Sequence, residues 1–124
     1  MAFSHVLVTE AELNAMAGEL VDATGWVEAN KQTWANQAGG FLCALCHYDL
    51  ITNVASLTAQ GKQILAEYIA RYDAMSGIAY NMATVGATFS SLIEPEDMIQ
   101  LHIYRMEKIE AILAKEGIQN FLAA

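Results

Sequence analysis

Lysine and arginine together number only six in this 124-residue chain, against fourteen aspartates and glutamates, for a net charge of −8. A surface of that sign repels phosphate backbones, because binding them needs clustered cations that displace counterions. Arg105 and Lys108 are the closest cations, and Glu107 and Glu110 interrupt them. Gripping nucleic acid or an anionic membrane is disfavoured. Lining a path along which nucleic acid slides without sticking suits the charge.

Long apolar runs are also missing: no stretch approaches the ~20 residues that span a bilayer. The start, "MAFSHVLVTEAEL", carries no basic region followed by an apolar core, so residence in the cytosol is expected. There the two cysteines stay reduced thiols. A single proline and a content 55% hydrophobic, rich in alanine, leucine, isoleucine and methionine, exclude a disordered chain and favour helices. The length suits one domain, with residues 1–117 as its helical body.

Chemical motifs are few. There is no E-x-x-H for a di-iron bundle, no glycine-rich phosphate loop, no nucleophile elbow, and no second Cys/His pair to complete a zinc site. No catalytic residue, metal or cofactor is therefore expected, and the chain reads as a non-enzyme. One string competes with that reading: Cys43, Cys46 and His47 form C-x-x-C-H, the tether of c-type haem. Its other reading is two small buried thiols one helical turn apart. The missing export signal and the apolar surroundings favour the thiols. His102, one turn from Met98 and from Met106, reads as a half-buried packing histidine. The acidic run Glu94, Glu96, Asp97 reads as a helix start, where carboxylates complement the dipole.

What is present predicts an all-α bundle of about four helices. Thr9 and Glu12 have the form of a capping box, opening a short first helix through Leu13 and Met16 that stops in "GELVDATG". A second helix starts near Trp26 and carries Trp34, Phe41, Leu42 and Leu45 toward Leu50, with Gly39-Gly40 as a place to kink or break. Ser56 or Thr58 caps the third, whose stripe runs through Ile64, Leu65, Tyr68, Ile69, Tyr72, Met75, Ile78 and Met82. Lys62, Glu67, Arg71 and Asp73 take its wetter positions. "ATVGATFSSLI" reads as a loop. Pro95 sits in the first turn of the fourth helix, which carries Met98, Leu101, Tyr104 or Arg105, Ile109, Ile112 and Leu113 toward Gly117. Residues 118–124 remain as an extended C-terminal tail bearing Ile118, Phe121 and Leu122. The apolar surplus exceeds what one small bundle hides, which marks association.

Residues 71–113 go further. Ile78, Tyr80, Asn81 and Met82 end one helix, and Ile93, Glu94, Glu96, Asp97 and Met98 open the next. This pair of helix-boundary motifs resembles the C-terminal half of small helical head-to-tail connector (adaptor) proteins of tailed bacteriophages. The upstream "YDLITNVASLTAQGKQIL" is similar too. Leu92 stands where the family often has arginine, and the intervening loop is longer and poorer in tyrosine. The resemblance implies a virion protein made in the host cytoplasm. It implies a homo-oligomeric ring, often twelve copies, docked beneath the portal protein and joined below to a tail or lower neck protein. Genomic DNA would pass through its channel without specific binding, and a ring multiplying −8 would repel it from the wall. The tail would grip the portal or a neighbour through Ile118, Phe121 and Leu122, and each subunit would meet the next through different patches.

Overall fold

The computed structural model describes residues 3–18, 21, 25–85, 93–115 and 122, the side chains of residues 81–85 and 93–95 excepted. Within them the chain is all-α, with four helices: α1 (Glu10–Ala17), α2 (Glu28–Cys46), α3 (Ala59–Val85) and α4 (Ile93–Leu113). A short 3₁₀ turn, Val54–Ser56, lies between α2 and α3. Helix α3 is the axis, and α1, α2 and α4 each pack against it.

Local chemistry sets the boundaries. Thr9 Oγ1 accepts from the Glu12 amide (3.2 Å) while Glu12 Oε1 accepts from the Thr9 amide (2.9 Å), the reciprocal pair of a capping box. Gly18 ends α1 at φ 63°, a conformation that costs glycine little. At the other end of α2, His47 takes the left-handed conformation, and the Tyr48 amide reaches back to the Cys43 carbonyl at 3.2 Å. That is the bond of a Schellman-type stop. Of the two expected caps for α3, Thr58 serves: its Oγ1 accepts from the Gly61 amide at 3.0 Å.

Gly39-Gly40 neither breaks nor interrupts α2, which runs through both. The place of Gly39 is explained by packing. A Cβ on Gly39 would come 3.1 Å from His5 Nε2, so the missing side chain lets the N-terminal arm lie against the helix. Gln32 clamps the same arm, its side chain pairing with the Ser4 amide (2.9 Å) and carbonyl (2.8 Å). Gly77 serves α3 likewise, for a Cβ there would sit 2.7 Å from the Trp26 ring.

The core is aliphatic: Leu13, Leu42, Leu50, Leu65, Ile69 and Leu113 are all fully buried. Each such side chain contributes roughly 1.5–3 kcal/mol by leaving water. Leu122 joins this core. Its carbonyl accepts from the Thr58 amide (2.6 Å), and its side chain lies over Gly61. The expectation of an outward tail therefore fails at Leu122. At the start of α3, Leu122 thus packs over Gly61 and takes the Thr58 amide, both within its own chain.

Candidate assembly surfaces

Helix α4 is apolar on two sides. His102, Met106, Ile109 and Leu113 recur at helical spacing and turn inward onto α3. The adjoining flank carries Leu101, Tyr104 and Ile112, which are 48%, 57% and 42% exposed. Of the apolar series read from the sequence, Ile109 and Leu113 turn inward, whereas Leu101 and Ile112 lie on the outer flank.

Cations share this outer flank. Of the six lysines and arginines, Lys31 is buried and Arg71 half-buried, while Arg105, Lys108 and Lys115 are three of the four that are exposed. Lys108 Nζ stands 5.2 Å over the Tyr104 ring, so the ammonium lies on the apolar stripe. Arg105 reaches to α3 and grips Glu67 with Nε and Nη2 (3.1 and 2.9 Å). Arg71 grips the same carboxylate at 2.7 Å. Burial pushes the Glu67 carboxyl up, but the two guanidiniums outweigh it and hold it below the usual range.

Glu67 also belongs to a groove of about 340 Å³ between α1 and α3. Its walls are Ala15 and Met16 from α1 and Gln63, Ala66 and Ala70 from α3, with Glu12 and Glu67 as its carboxylates. Through the Arg105–Glu67 pair, the groove adjoins the outer flank of α4.

A second apolar area lies on α2 and its connections. Phe41 is exposed on one side and stacks on Tyr68 (centroids 6.1 Å, planes 11° apart), whose hydroxyl donates to Glu110 at 2.7 Å. Ile51 and His5 lie over Gly39 on another side of α2, with exposed Val6 beside His5.

The residues singled out for their helix-boundary pattern are dispersed along α3 and α4. Tyr80 is partly exposed and completes an aromatic group with Trp34 and Trp26 (centroids 6.4 and 6.3 Å). Glu96 and Asp97 are exposed in the first turns of α4, and Met98 is half-buried. Met82, Ile93 and Glu94 lie in helices, but their side chains are outside the described residues, as are Ile118 and Phe121 altogether. Among the three proposed tail anchors only Leu122 is described, and it is buried at home.

Cys46 is buried and Cys43 half-buried in the last turn of α2. Burial raises the Cys46 thiol, and Cys43 nearby adds to it, so this sulfur stays protonated. His47 is exposed at the helix stop.

Two buried groups escaped the sequence. Asp73, expected at a wet position, is wholly buried, and neither carboxylate oxygen has a hydrogen-bond partner. Burial raises its pKa to about 8, although the Lys31 charge pulls the other way. Lys31 itself is tied to Glu10 at 3.0 Å. His102, expected half-buried, is fully buried. Arg71 can only donate, so His102 Nδ1 accepts (3.2 Å) and the neutral ring carries its proton on Nε2, which has no partner. Burial, and then the Arg71 charge, lower its pKa to about 4.

Among the described residues these features define an all-α arrangement of four helices in which α4 is apolar on two faces, and no described helix is long and apolar enough to cross a membrane. Among the described residues no three His, Cys, Asp or Glu side chains gather to hold a metal. No protein-family model, curated protein or solved structure matches the chain.

Proposed function

We propose that this chain is a structural subunit of a tailed-phage head-to-tail connector, a ring that sits beneath the portal protein and extends the DNA channel toward the tail or lower neck protein. The observation that carries this reading is the exposed outer flank of α4. Helix α4 already holds its place in the bundle through its inner stripe, so Leu101, Tyr104 and Ile112 add nothing to the subunit's own core. A single chain that leaves them in water gains by covering them with a neighbour.

A ring of many copies needs two different patches, because each subunit meets one neighbour with one face and the next with another. The outer flank of α4 and the Phe41 and Val6–Ile51 areas around α2 supply more than one such patch. The charge suits the channel: a wall built from copies of net charge −8 holds DNA phosphates away and keeps friction low. In this reading the protein acts by packing, not by turnover. Cys43, Cys46 and Asp73 then serve the fold and no reaction.

Two measurements test the proposal. Electron microscopy of the purified protein with a portal is expected to show a ring with an axial channel. Phage made without the protein is expected to accumulate filled heads and separate tails. Intact, infectious particles lacking it would end the reading.

A further inference from the structure

Resting on the reading of the chain as an assembling subunit, we infer that the outer flank of α4 docks into the α1–α3 groove of a second copy of this chain. Charge selects the partner. Helix α1 carries two acids: Glu10, which Lys31 holds at 3.0 Å, and exposed Glu12, which lines the groove. The outer flank of α4 carries two of the four exposed cations, Arg105, which grips Glu67 of its own chain, and Lys108, with Lys115 two residues past the helix end. Two copies of net charge −8 repel one another in most orientations. The repulsion is locally offset where Lys108 of one meets Glu12 of the other.

Shape agrees with charge. The groove's walls include three alanines, Ala15, Ala66 and Ala70, which with Met16 and Gln63 leave a furrow between two helices. The flank is a ridge of large ones, Leu101, Tyr104 and Ile112. A ridge entering a furrow is the ordinary way that helices pack. Gln63 to Ala70, the length of the groove along α3, spans about 10 Å, and Tyr104 to Ile112 about 12 Å, at 1.5 Å per residue. With Tyr104 and Ile112 in the furrow, Lys108 lies between them, facing the wall that carries Glu12.

The contact has a donor and an acceptor, so the two can be disabled separately. Leu101→Asp with Ile112→Asp disables the donor at exposed positions. Ala15→Arg with Gln63→Arg fills the acceptor, also at exposed positions, and sets cations against Lys108. Circular dichroism confirms that each double variant keeps its helices, and light scattering reads the mass. Wild-type protein is expected to associate with rising concentration. Each double variant is expected to associate at least about tenfold more weakly. An equimolar mixture of the two is expected to recover a one-to-one complex, since the mixture holds one intact donor and one intact acceptor. Wild-type protein that stays monomeric to millimolar concentration would overturn the inference, as would a mixture that stays monomeric, or a donor variant that associates like wild type. Association through this contact without binding to a portal would leave the inference standing and remove only the connector reading.

Discussion

The two faces of α4 differ in what water has already decided for them. Leu113 and Ile112 are neighbours in sequence and alike in chemistry, yet Leu113 is fully buried while Ile112 is 42% exposed. The inner face holds the subunit together, and the outer face is free to hold something else. A hydrophobic residue on a helix is therefore no guide to its role until the neighbouring helix is known.

The sharpest way to break that contrast is to shorten both residues. Leu113→Ala should cost about 2–5 kcal/mol in urea denaturation, because it removes buried methyl groups and leaves a cavity. Ile112→Ala should stay within about 0.5 kcal/mol under dilute, monomeric conditions. Equal losses would mean that the outer face also belongs to the core. Leu122→Ala belongs with the inner class and should also cost about 2–5 kcal/mol. A negligible loss there would restore the outward tail that its burial contradicts.

Ionisable groups sharpen the same contrast through pH. Asp73 is an inside group whose carboxyl is raised from 3.8 to about 8. The unfolded chain releases that proton first, so the stability linked to Asp73 is complete below pH 3.8 and declines as pH rises to about 8. His102 runs the other way. Its pKa falls from 6.5 to about 4, so its contribution is complete above pH 6.5 and is lost as pH falls toward 4. Each slope reaches at most about 1.4 kcal/mol per pH unit. Asp73→Asn is expected to flatten the decline in denaturation free energy between pH 6.5 and 8. His102→Gln is expected to let stability rise on acidification from pH 6.5, with Asp73 then unopposed. An Asp73→Asn protein with the wild-type slope above pH 6.5 would show that the carboxylate is hydrated in solution.

Arg105, on the outer edge, gives the smallest effect. Its pair with Glu67 is solvent-exposed on the arginine side, so Arg105→Ala should cost only about 0.2–1 kcal/mol, and added salt should shrink the difference. A loss of several kcal/mol would place that pair in the interior class.

Much of the architecture was legible in the residues themselves. The Thr9–Glu12 box, the Thr58 cap and the long stripe of α3 are local patterns, each specified by atoms a few positions apart. The candidate surfaces were legible only as a surplus of apolar residues, without an address. Spacing listed Leu101 and Ile112 in one apolar series with Ile109 and Leu113 and put Asp73 at a wet position; the structure splits the series and buries Asp73, because each outcome depends on which neighbouring helix arrives and at what angle. Gly39 looked like a break, since nothing nearby in the sequence announces that His5, thirty-four residues earlier, lies against it. The fate of Leu122 was equally hidden, because its partner Thr58 is far away along the chain.

The amino-acid order alone determined that this protein is helical, where most of its helices start, and that its first thirty residues carry acids but no lysine or arginine. Those properties follow from hydrogen bonds, rotamer freedom and charge within a few residues of each other. Only the tertiary structure decided which apolar stripe of α4 is core and which is surface, which carboxylate is stranded from water, and where the C-terminal leucine rests. Those outcomes depend on contacts between segments distant in sequence, where packing geometry outweighs local preference.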